Sequence, residues 1–219
     1  MEEKFKKMKM NTKVFSKKNL SEQNLKNIVD YLNESQVIAF PTETVYGLGA
    51  HMFKEEAIKK IYALKKRDKN KALIIHLGAI EDVKKVAIEI PNDFYVLANR
   101  FFPGPLTIIL KKNPEISSLI SSDLTIALRM PDNLYTQKII NLLGSPIVGT
   151  SANISNHKSP VSAKMVLDVF LNKIPAVIDT GACELKIPST IISLVDKPYK
   201  ILRVGSISKE QIDKALKNS

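Results

Sequence analysis

The sequence is poor in cysteine and has no long apolar run. Its 219 residues include a single cysteine, Cys183, so neither an internal disulfide framework nor a cysteine metal cluster can form. No stretch approaches the roughly 20 apolar residues that cross a bilayer, and the first residues lack an apolar signal-peptide core. We therefore expect a soluble, cytoplasmic protein with no membrane segment.

The common nucleotide-binding and hydrolytic motifs are also missing. The sequence contains no GxxxxGK[ST] phosphate loop and no GxGxxG, HExxH, GxSxG or CxxC. His51, His76 and His157 show no metal-ligand spacing, so we predict no metal site on the protein. A Ser-His-Asp triad of Ser151, His157 and Asp179 remains a minor alternative, because no nucleophile elbow surrounds the serine.

Arginine is scarce, although the chain is strongly basic. The net charge is +11, and the first 20 residues hold seven lysines against two glutamates. We predict that residues 1–19 form a lysine-rich extension, more typical of a solvated segment than of a phosphate-binding arm. Arginine offers a planar fork that matches carboxylate and phosphate, so its few positions mark candidate anion sites. Those positions are Arg67, Arg100, Arg129 and Arg203.

Helical and strand patterns alternate from about residue 20 onward. Apolar residues at helical spacing, with Ser21 as a cap, predict a first helix, and KEEAIKKIYALKK predicts a second. Further helices are predicted near 93–102, near 133–143, from about 162 and from 208. The predicted strands are QVIAF, ALIIH, LTIIL, LTIALRM, PIVG, AVIDT, STIISLV and KILRV. This alternation predicts one α/β domain over residues 20–219, with a twisted mixed sheet and flanking helices.

Three loop-like segments at predicted strand ends are rich in hydroxyls, glycine or positive charge. They are PTETVYGLGA (41–50), KKRDKNKALIIH (65–76) and GTSANISNHKSP (149–160). Arg129 and Arg203 each end a predicted strand, which is a rigid platform for a guanidinium that meets an anion. Because ligands bind at strand ends in open α/β sheets, we predict a shared basic concavity there. Arg100, in ANRFF, has no hydroxyl-rich neighbours and is interpreted as structural.

Together these segments resemble the YrdC/TsaC family of threonylcarbamoyl-AMP synthases. The blocks PTETVYGLGA, KxR, PGPLTIIL, ALRMPDN, GTSANIS with a following SP, STIISLV and ILRVGS occur in the family's order, from about residue 20 to 207. The chain resembles the short, single-domain form of the family. The resemblance implies a YrdC-like fold and the formation of threonylcarbamoyl-AMP and pyrophosphate from L-threonine, bicarbonate and ATP, with Mg²⁺ accompanying ATP.

The resemblance also assigns roles to particular residues. Lys65 and Arg67 would be the catalytic pair. The residues expected to bind ATP are Lys65, Arg67, Lys71, Thr125, Ser151, Asn153, Ser159 and Arg203. Those expected to bind threonine are Thr44, His76, Arg129, Gly149 and Ser189. The family often has prolines where this chain has Asp68 and Ala72, so Asp68 is expected either to orient Arg67 or to compete for it.

The resemblance further implies partners, and it leaves a second function open. A TsaD-type transferase would pass the threonylcarbamoyl group to an adenosine of tRNA. The alternative is a non-catalytic module that binds tRNA or double-stranded RNA in the same basic concavity. The hydroxyl-rich SAN segment, the Ser189 and Thr190 pair and His76 favour synthesis, because an RNA clamp has no use for them. A carbamoyl-handling domain of a maturation factor is a weaker third reading.

Overall fold

The fold is built on one large mixed sheet. A computed structural model describes residues 10–217, and within them the sheet has eleven strands. The strands are β1 (Lys13–Ser16), β2 (Ile38–Phe40), β3 (Gly47–His51), β4 (Ile74–His76), β5 (Ala87–Ile88), β6 (Leu106–Lys112), β7 (Thr125–Arg129), β8 (Ile147–Ser151), β9 (Ala176–Asp179), β10 (Thr190–Ser193) and β11 (Lys200–Arg203). The helices are α1 (Glu22–Asn33), α2 (Glu55–Lys65), α3 (Val83–Val86), α4 (Asn92–Phe101), α5 (Leu134–Leu143), α6 (Ala163–Phe170) and α7 (Lys209–Lys217), with 3₁₀ turns at Lys17–Asn19 and Ile80–Asp82.

The strands do not follow chain order across the sheet. Their order is β1, β9, β2, β3, β8, β4, β7, β6, β10 and β11. The short β5 pairs with the C-terminal end of β6. The pairs β1 with β9, β2 with β9, β4 with β7 and β6 with β10 are parallel. The other neighbours are antiparallel. The predicted single-domain α/β fold with a mixed sheet is therefore confirmed.

Side-chain caps begin several of the helices. The Ser21 hydroxyl accepts a hydrogen bond from the Asn24 amide at 3.3 Å, as predicted, and thereby satisfies a donor at the start of α1. Asn133 and Ser162 play the same part for α5 and α6. Within residues 10–217, no helix combines the length and apolar character that crossing a membrane requires.

One face of the sheet carries the larger apolar core. Helices α2, α4, α6 and α7 pack on it and form the larger apolar core. On β7, Ile126 and Leu128 point into this core, and on β6 Ile108 and Leu110 do the same. Because side chains alternate along a strand, Ala127 and Arg129 of β7 project from the opposite face.

The opposite face is only half covered. Helices α1 and α5 pack over β1, β9, β2 and β8, and they enclose a second apolar core that contains Phe15, Ile38, Phe40 and Ile147. Among residues 10–217, this second core contains no buried residue of β4, β7, β6 or β10. This second half of the face is where a ligand can approach the sheet.

Three strands, β1, β3 and the two-residue β5, are absent from the sequence-based prediction. Residues 47–50 were expected to belong to the loop-like segment 41–50, yet Gly47–His51 forms β3, an antiparallel partner of both β2 and β8. The predicted domain boundary at residue 20 also falls too late. Lys13–Ser16 pairs with β9 as an edge strand, and burial of Phe15 anchors it to the core. Of the predicted lysine-rich extension, residues 1–9 lie outside the part of the chain that the structure describes.

Candidate functional site

A cavity opens on the uncovered half of the sheet face. Its volume is about 290 Å³. The polar residues that line it are Tyr46, Arg67, His76, Arg129, Thr150, Ser151, Ser159, Ser189 and Arg203. The other lining residues are Val45, Gly47, Ala72, Ile74, Ile109, Ala127, Pro188 and Ile191. None of the described residues lining this cavity is an aspartate or a glutamate, so the cavity has a net positive lining.

The structure brings together residues that are far apart in the sequence. Seven of the predicted site residues line the cavity, and they are Arg67, His76, Arg129, Ser151, Ser159, Ser189 and Arg203. The six others lie outside its lining, and they are Thr44, Lys65, Lys71, Thr125, Gly149 and Asn153. Thr125 lies two residues before Ala127 on β7 and therefore shares its face, whereas Lys71 is exposed to solvent.

Arg129 is held in place by three hydrogen bonds to two segments. Its Nη2 donates to Glu43 Oε1 at 2.6 Å and to Thr44 Oγ1 at 2.8 Å, and its Nε donates to the Gly104 carbonyl at 3.2 Å. The second oxygen of Glu43 accepts from the Asp132 amide at 3.0 Å. The charged groups of this pair are almost fully buried. Within residues 10–217, none of these hydrogen bonds uses Nη1, which leaves that nitrogen available to a ligand.

Ser189 lies between a buried hydroxyl and the second cavity arginine. Its Oγ is 2.8 Å from Thr107 Oγ1 and accepts from Arg203 Nη2 at 3.1 Å, while its carbonyl accepts from Arg203 Nε at 2.9 Å. Burial, and then the charge of Arg129, lowers the pKa of Arg203, although a guanidinium stays protonated in proteins. The Ser189 hydroxyl is thus fixed beside a permanent cation.

The segment after β11 is fastened to Thr190, the first residue of β10, which directly follows Ser189. Thr190 Oγ1 donates to the Ile207 carbonyl at 2.7 Å and accepts from the amides of Gly205 and Ile207. A Cβ atom at Gly205 would lie 2.4 Å from the Pro188 carbonyl oxygen, so glycine alone permits this close approach. This packing keeps Arg203 against the cavity wall.

Arg67 enters the cavity from the turn that follows α2. Its Nε donates to the Lys71 carbonyl at 3.1 Å and its Nη2 to the Ala72 carbonyl at 2.8 Å. Asp68 makes no ion pair with it among the described residues, and its Oδ1 instead accepts from the Asn70 amide at 3.0 Å. Burial lowers the pKa of Arg67, and the charges of Tyr62 and then Asp68 oppose that shift, so within residues 10–217 Asp68 acts on Arg67 without a hydrogen bond to it and its orienting or competing role stays a prediction.

Lys65 lies outside the cavity lining. It is 1% exposed, and its Nζ donates to the carbonyls of Ser151 and, at 2.7 Å, of Asn153. Burial first, and the charge of Arg67 second, lowers the pKa of this ammonium group to about 7. From this position outside the lining, the ammonium group thus holds the backbone carbonyls of Ser151 and Asn153 in place.

Asn153 likewise stabilises the loop that contains it. Its Nδ2 donates to the carbonyls of Ile154 at 2.8 Å and of His157 at 2.7 Å. Both donors of the amide are therefore used within the loop. Ser151 and Ser159, at the two ends of this loop, are the residues that reach the cavity.

His76 is a buried, neutral wall of the cavity. Burial, followed by the positive charge of Arg129, lowers its pKa to about 3, and its Nδ1 has no hydrogen-bond partner. The Phe40 ring meets it edge-on, with 5.2 Å between ring centroids. A Cβ atom at Gly149 would lie 2.6 Å from the Leu48 carbonyl oxygen and 3.3 Å from His76 Cε1. Gly149 therefore gives His76 the space it occupies.

The described residues form neither the alternative hydrolytic triad nor a metal cluster. None of the hydrogen bonds in residues 10–217 joins the side chains of Ser151, His157 and Asp179, and His157 is exposed. Asp179 instead accepts from the Gly181 amide. The described residues hold no cluster of three or more metal-binding side chains. A hydrolytic triad is therefore ruled out for these three residues.

Sequence reasoning missed two residues that hold the site. Glu43 directly precedes the predicted Thr44 in PTETVYGLGA, and as the only charged residue of that segment it was a signal that a buried cation needed a partner. Thr107 holds the Ser189 hydroxyl from β6. Its position in LTIIL predicts a buried residue of a strand but gives no sign of this contact.

The comparisons with known proteins agree with this architecture. Residues 30–205 match the model of the Sua5/YciO/YrdC family, described as "Telomere recombination". The chain is 40% identical over 198 residues to the threonylcarbamoyl-AMP synthase of Pyrococcus abyssi, covering 90% of this chain and 58% of that protein. It is 32% identical over 210 residues to a putative threonylcarbamoyl-AMP synthase of Methanocaldococcus jannaschii, covering 94% and 99%.

A solved structure shows the same fold. The crystal structure of P. abyssi Sua5 complexed with L-threonine superposes with a TM-score of 0.91 at 38% identity, covering 94% of this chain and 61% of that one. The chain spans little more than half the length of the P. abyssi synthase and of two other curated relatives. Since a family model matches most of its length, the chain belongs to the Sua5/YciO/YrdC family.

Proposed function

We propose that this protein is an L-threonylcarbamoyladenylate synthase, a nucleotidyltransferase that forms threonylcarbamoyl-AMP and pyrophosphate from L-threonine, bicarbonate and ATP. The observation that carries the proposal is the convergence of Arg67, Arg129 and Arg203 with three serines on one cavity. Relatives at 40% and 39% identity are named threonylcarbamoyl-AMP synthase, and P. abyssi Sua5 has been solved with L-threonine.

The two substrates would occupy different ends of the cavity. Arg67, Ser151, Ser159 and Arg203 would receive the triphosphate, because fixed guanidinium groups and hydroxyls suit phosphate oxygens. Lys71, Thr125 and Asn153 remain predicted contacts of ATP. Threonine would lie at the Arg129 end, where the residues named by the resemblance are Thr44, His76, Arg129, Gly149 and Ser189. Lys65 would act by supporting the segment that contains Ser151.

The proposed reaction requires little covalent chemistry from the protein itself. The threonine amine adds to bicarbonate, water leaves, and a carbamate forms. A carbamate oxygen then attacks the α-phosphorus of ATP, and the bond between the α- and β-phosphates breaks to release pyrophosphate. Arginines beside the phosphates would stabilise the negative charge that develops in this step. His76, being neutral, would accept or donate a hydrogen bond without adding charge near the amine.

Magnesium would enter with ATP, as Mg·ATP. None of the described residues lining the cavity is a carboxylate, and both oxygens of the nearby Glu43 are engaged by protein groups. Magnesium commonly binds through substrate phosphates and water, with few protein ligands. We therefore assign it to the substrate and name no protein ligand for it.

The cavity favours synthesis over the RNA-binding alternative. A cavity of about 290 Å³ with the buried pair Thr107 and Ser189 at its wall suits a small molecule better than a duplex. We propose that the product passes to a TsaD-type transferase for tRNA modification, and that the reaction takes place in the cytoplasm. Direct contact of this chain with tRNA or double-stranded RNA stays a prediction.

The decisive experiment is direct product detection. Purified protein is incubated with L-threonine, bicarbonate and Mg·ATP, and threonylcarbamoyl-AMP and pyrophosphate are measured by mass spectrometry and a coupled assay. Isotopically labelled bicarbonate should transfer its carbon to the product, and omission of any substrate should abolish it. If the P. abyssi synthase forms the mixed anhydride under the same conditions and this protein does not, the proposed function is wrong.

A further inference from the structure

The three cavity arginines differ in how their charge is compensated. Arg129 forms a buried ion pair with Glu43, with 2.6 Å between Nη2 and Oε1. Arg67 and Arg203 take part in none of the ion pairs found in residues 10–217. The cavity therefore holds one arginine whose charge is neutralised by a contacting carboxylate, Arg129, and two arginines that contact no carboxylate among the described residues.

The uncompensated arginines bond only to neutral groups. Arg67 donates to the carbonyls of Lys71 and Ala72, and Arg203 donates to the carbonyl and hydroxyl of Ser189. These contacts fix the orientation of each guanidinium without cancelling its charge. A polyanion that enters the cavity is therefore attracted to Arg67 and Arg203 more strongly than to Arg129.

We propose that Glu43 is a specificity-determining residue, which neutralises Arg129 so that this end of the cavity accepts a zwitterionic amino acid and rejects simple anions. Threonine carries no net charge at neutral pH, so it gains from the geometry of the guanidinium and from nearby hydroxyls. Phosphate, bicarbonate and the ATP triphosphate carry net negative charge and gain little at a cation that already has a carboxylate partner. The inference rests on the proposed function.

The geometry identifies Glu43 as a fixed partner of Arg129. One carboxylate oxygen accepts from Arg129 and the other from the Asp132 amide at 3.0 Å, so both are committed. The Glu43 backbone carbonyl also accepts from the Leu185 amide at 2.8 Å. Since Glu43 is 8% exposed and does not line the cavity, it shapes the charge of the site without touching the ligand.

The test compares phosphate competition in two variants of equal net charge. Glu43→Gln keeps the shape of the side chain but removes its charge, and Glu184→Gln removes an exposed carboxylate nearby as the matched control. The threonine KM is measured with rising inorganic phosphate at constant ionic strength. In Glu43→Gln we expect phosphate to compete with threonine and raise its KM at least about fivefold, because the Arg129 charge is no longer cancelled.

The wild type and Glu184→Gln should show a different pattern. In both, phosphate should compete with ATP and leave the threonine KM unchanged. A uniform loss of activity in Glu43→Gln, with no new competition between phosphate and threonine, would mean that Glu43 is merely structural and would overturn the inference. Competition between phosphate and threonine in the wild type would also overturn it, and this measurement serves even where the variant does not fold.

Direct binding separates this inference from the proposed function. In calorimetric titrations, phosphate should bind to Glu43→Gln at an additional site from which threonine displaces it, whereas the wild type should lack that site. This readout needs no turnover. A wild type that makes no threonylcarbamoyl-AMP would refute the proposed function, while the presence or absence of the additional phosphate site would still decide the role of Glu43.

Discussion

The two halves of one sheet face differ in what their strands contribute to it. On the covered half, Phe40 of β2 extends over β3 and β8, where Gly47, Gly49 and Gly149 leave room for its ring. On the open half, β7 ends in Arg129. The first half is sealed by α1 and α5, and the second is left as a cavity. Small residues beside one large ring make a dry core, whereas polar residues at strand ends keep the neighbouring strands available to a ligand.

On the covered half, the Phe40 ring fills the space beside Gly47 and Gly49. Its removal should therefore have the largest effect on stability. Phe40→Ala should lower the free energy of unfolding by about 3–5 kcal/mol, because the ring is 1% exposed and the glycines around it cannot fill the space. Urea denaturation followed by circular dichroism measures this loss. Ile109→Ala, on the open half, is the matched control and should cost less than half as much. Equal losses in the two variants would show that the halves do not differ in packing.

His76 lies at the border of the two halves and should make stability depend on pH. Its pKa is about 3 in the folded protein and near its ordinary value of 6.5 in the unfolded chain, so the unfolded chain binds one more proton between these values. The folded protein is therefore destabilised as the pH falls from 6.5 toward 3, by about 1.36 kcal/mol per pH unit from this residue.

The pH dependence is measured by comparing variants. Urea denaturation of the wild type and of His76→Gln at about pH 7 and about pH 5 isolates the contribution of His76, since other groups titrate in both proteins. The wild type should lose more stability on acidification than His76→Gln. His157→Gln, which changes an exposed histidine, should behave like the wild type. An identical loss in all three proteins would contradict a neutral, buried His76.

The sequence predicts the helices of the covered half and the four strands of the open half, but it misses β1 and β3 of the covered half. The apolar spacing in α1, the cap at Ser21 and a helix near residues 133–143 were predicted from local patterns, and the structure has them. Strand β3 was missed because its glycines signal a turn, although they make room for Phe40, a contact that depends on the tertiary fold. Local patterns therefore identify elements, but not the reason a small residue is needed.

The candidate site shows a similar limit, because the type of a residue does not reveal what its side chain contacts. The family resemblance identified the arginines and serines that line the cavity, because their types are tied to anions. It also named Lys65, whose ammonium group turns out to face the Ser151 and Asn153 carbonyls, and it gave no place to Glu43. Whether a charged side chain meets ligand or backbone depends on the packing of distant segments, which no local pattern contains.

Loss of a ligand contact on the open half should reduce catalysis more than stability. Arg67→Ala and Ser151→Ala should each slow the formation of threonylcarbamoyl-AMP at least about tenfold, which corresponds to roughly 1.4 kcal/mol of transition-state stabilisation. Steady-state rates at saturating threonine measure the effect. Lys69→Ala, an exposed residue of the same loop, should leave the rate unchanged. Rates like the wild type in both site variants would remove Arg67 and Ser151 from the site.

The smallest expected effect tests why the open half uses arginine at the end of β7. Arg129 needs Nε for Gly104 and Nη2 for Glu43 and Thr44, and only a guanidinium retains a further nitrogen for a ligand. Arg129→Lys keeps the charge, so we expect the threonine KM to rise several-fold while the ATP KM stays unchanged. Steady-state kinetics with each substrate varied in turn measures both constants. Arg100→Lys, on α4 and away from the cavity lining, should change neither constant. An unchanged threonine KM in Arg129→Lys would show that charge alone, without the planar fork, is enough at this position.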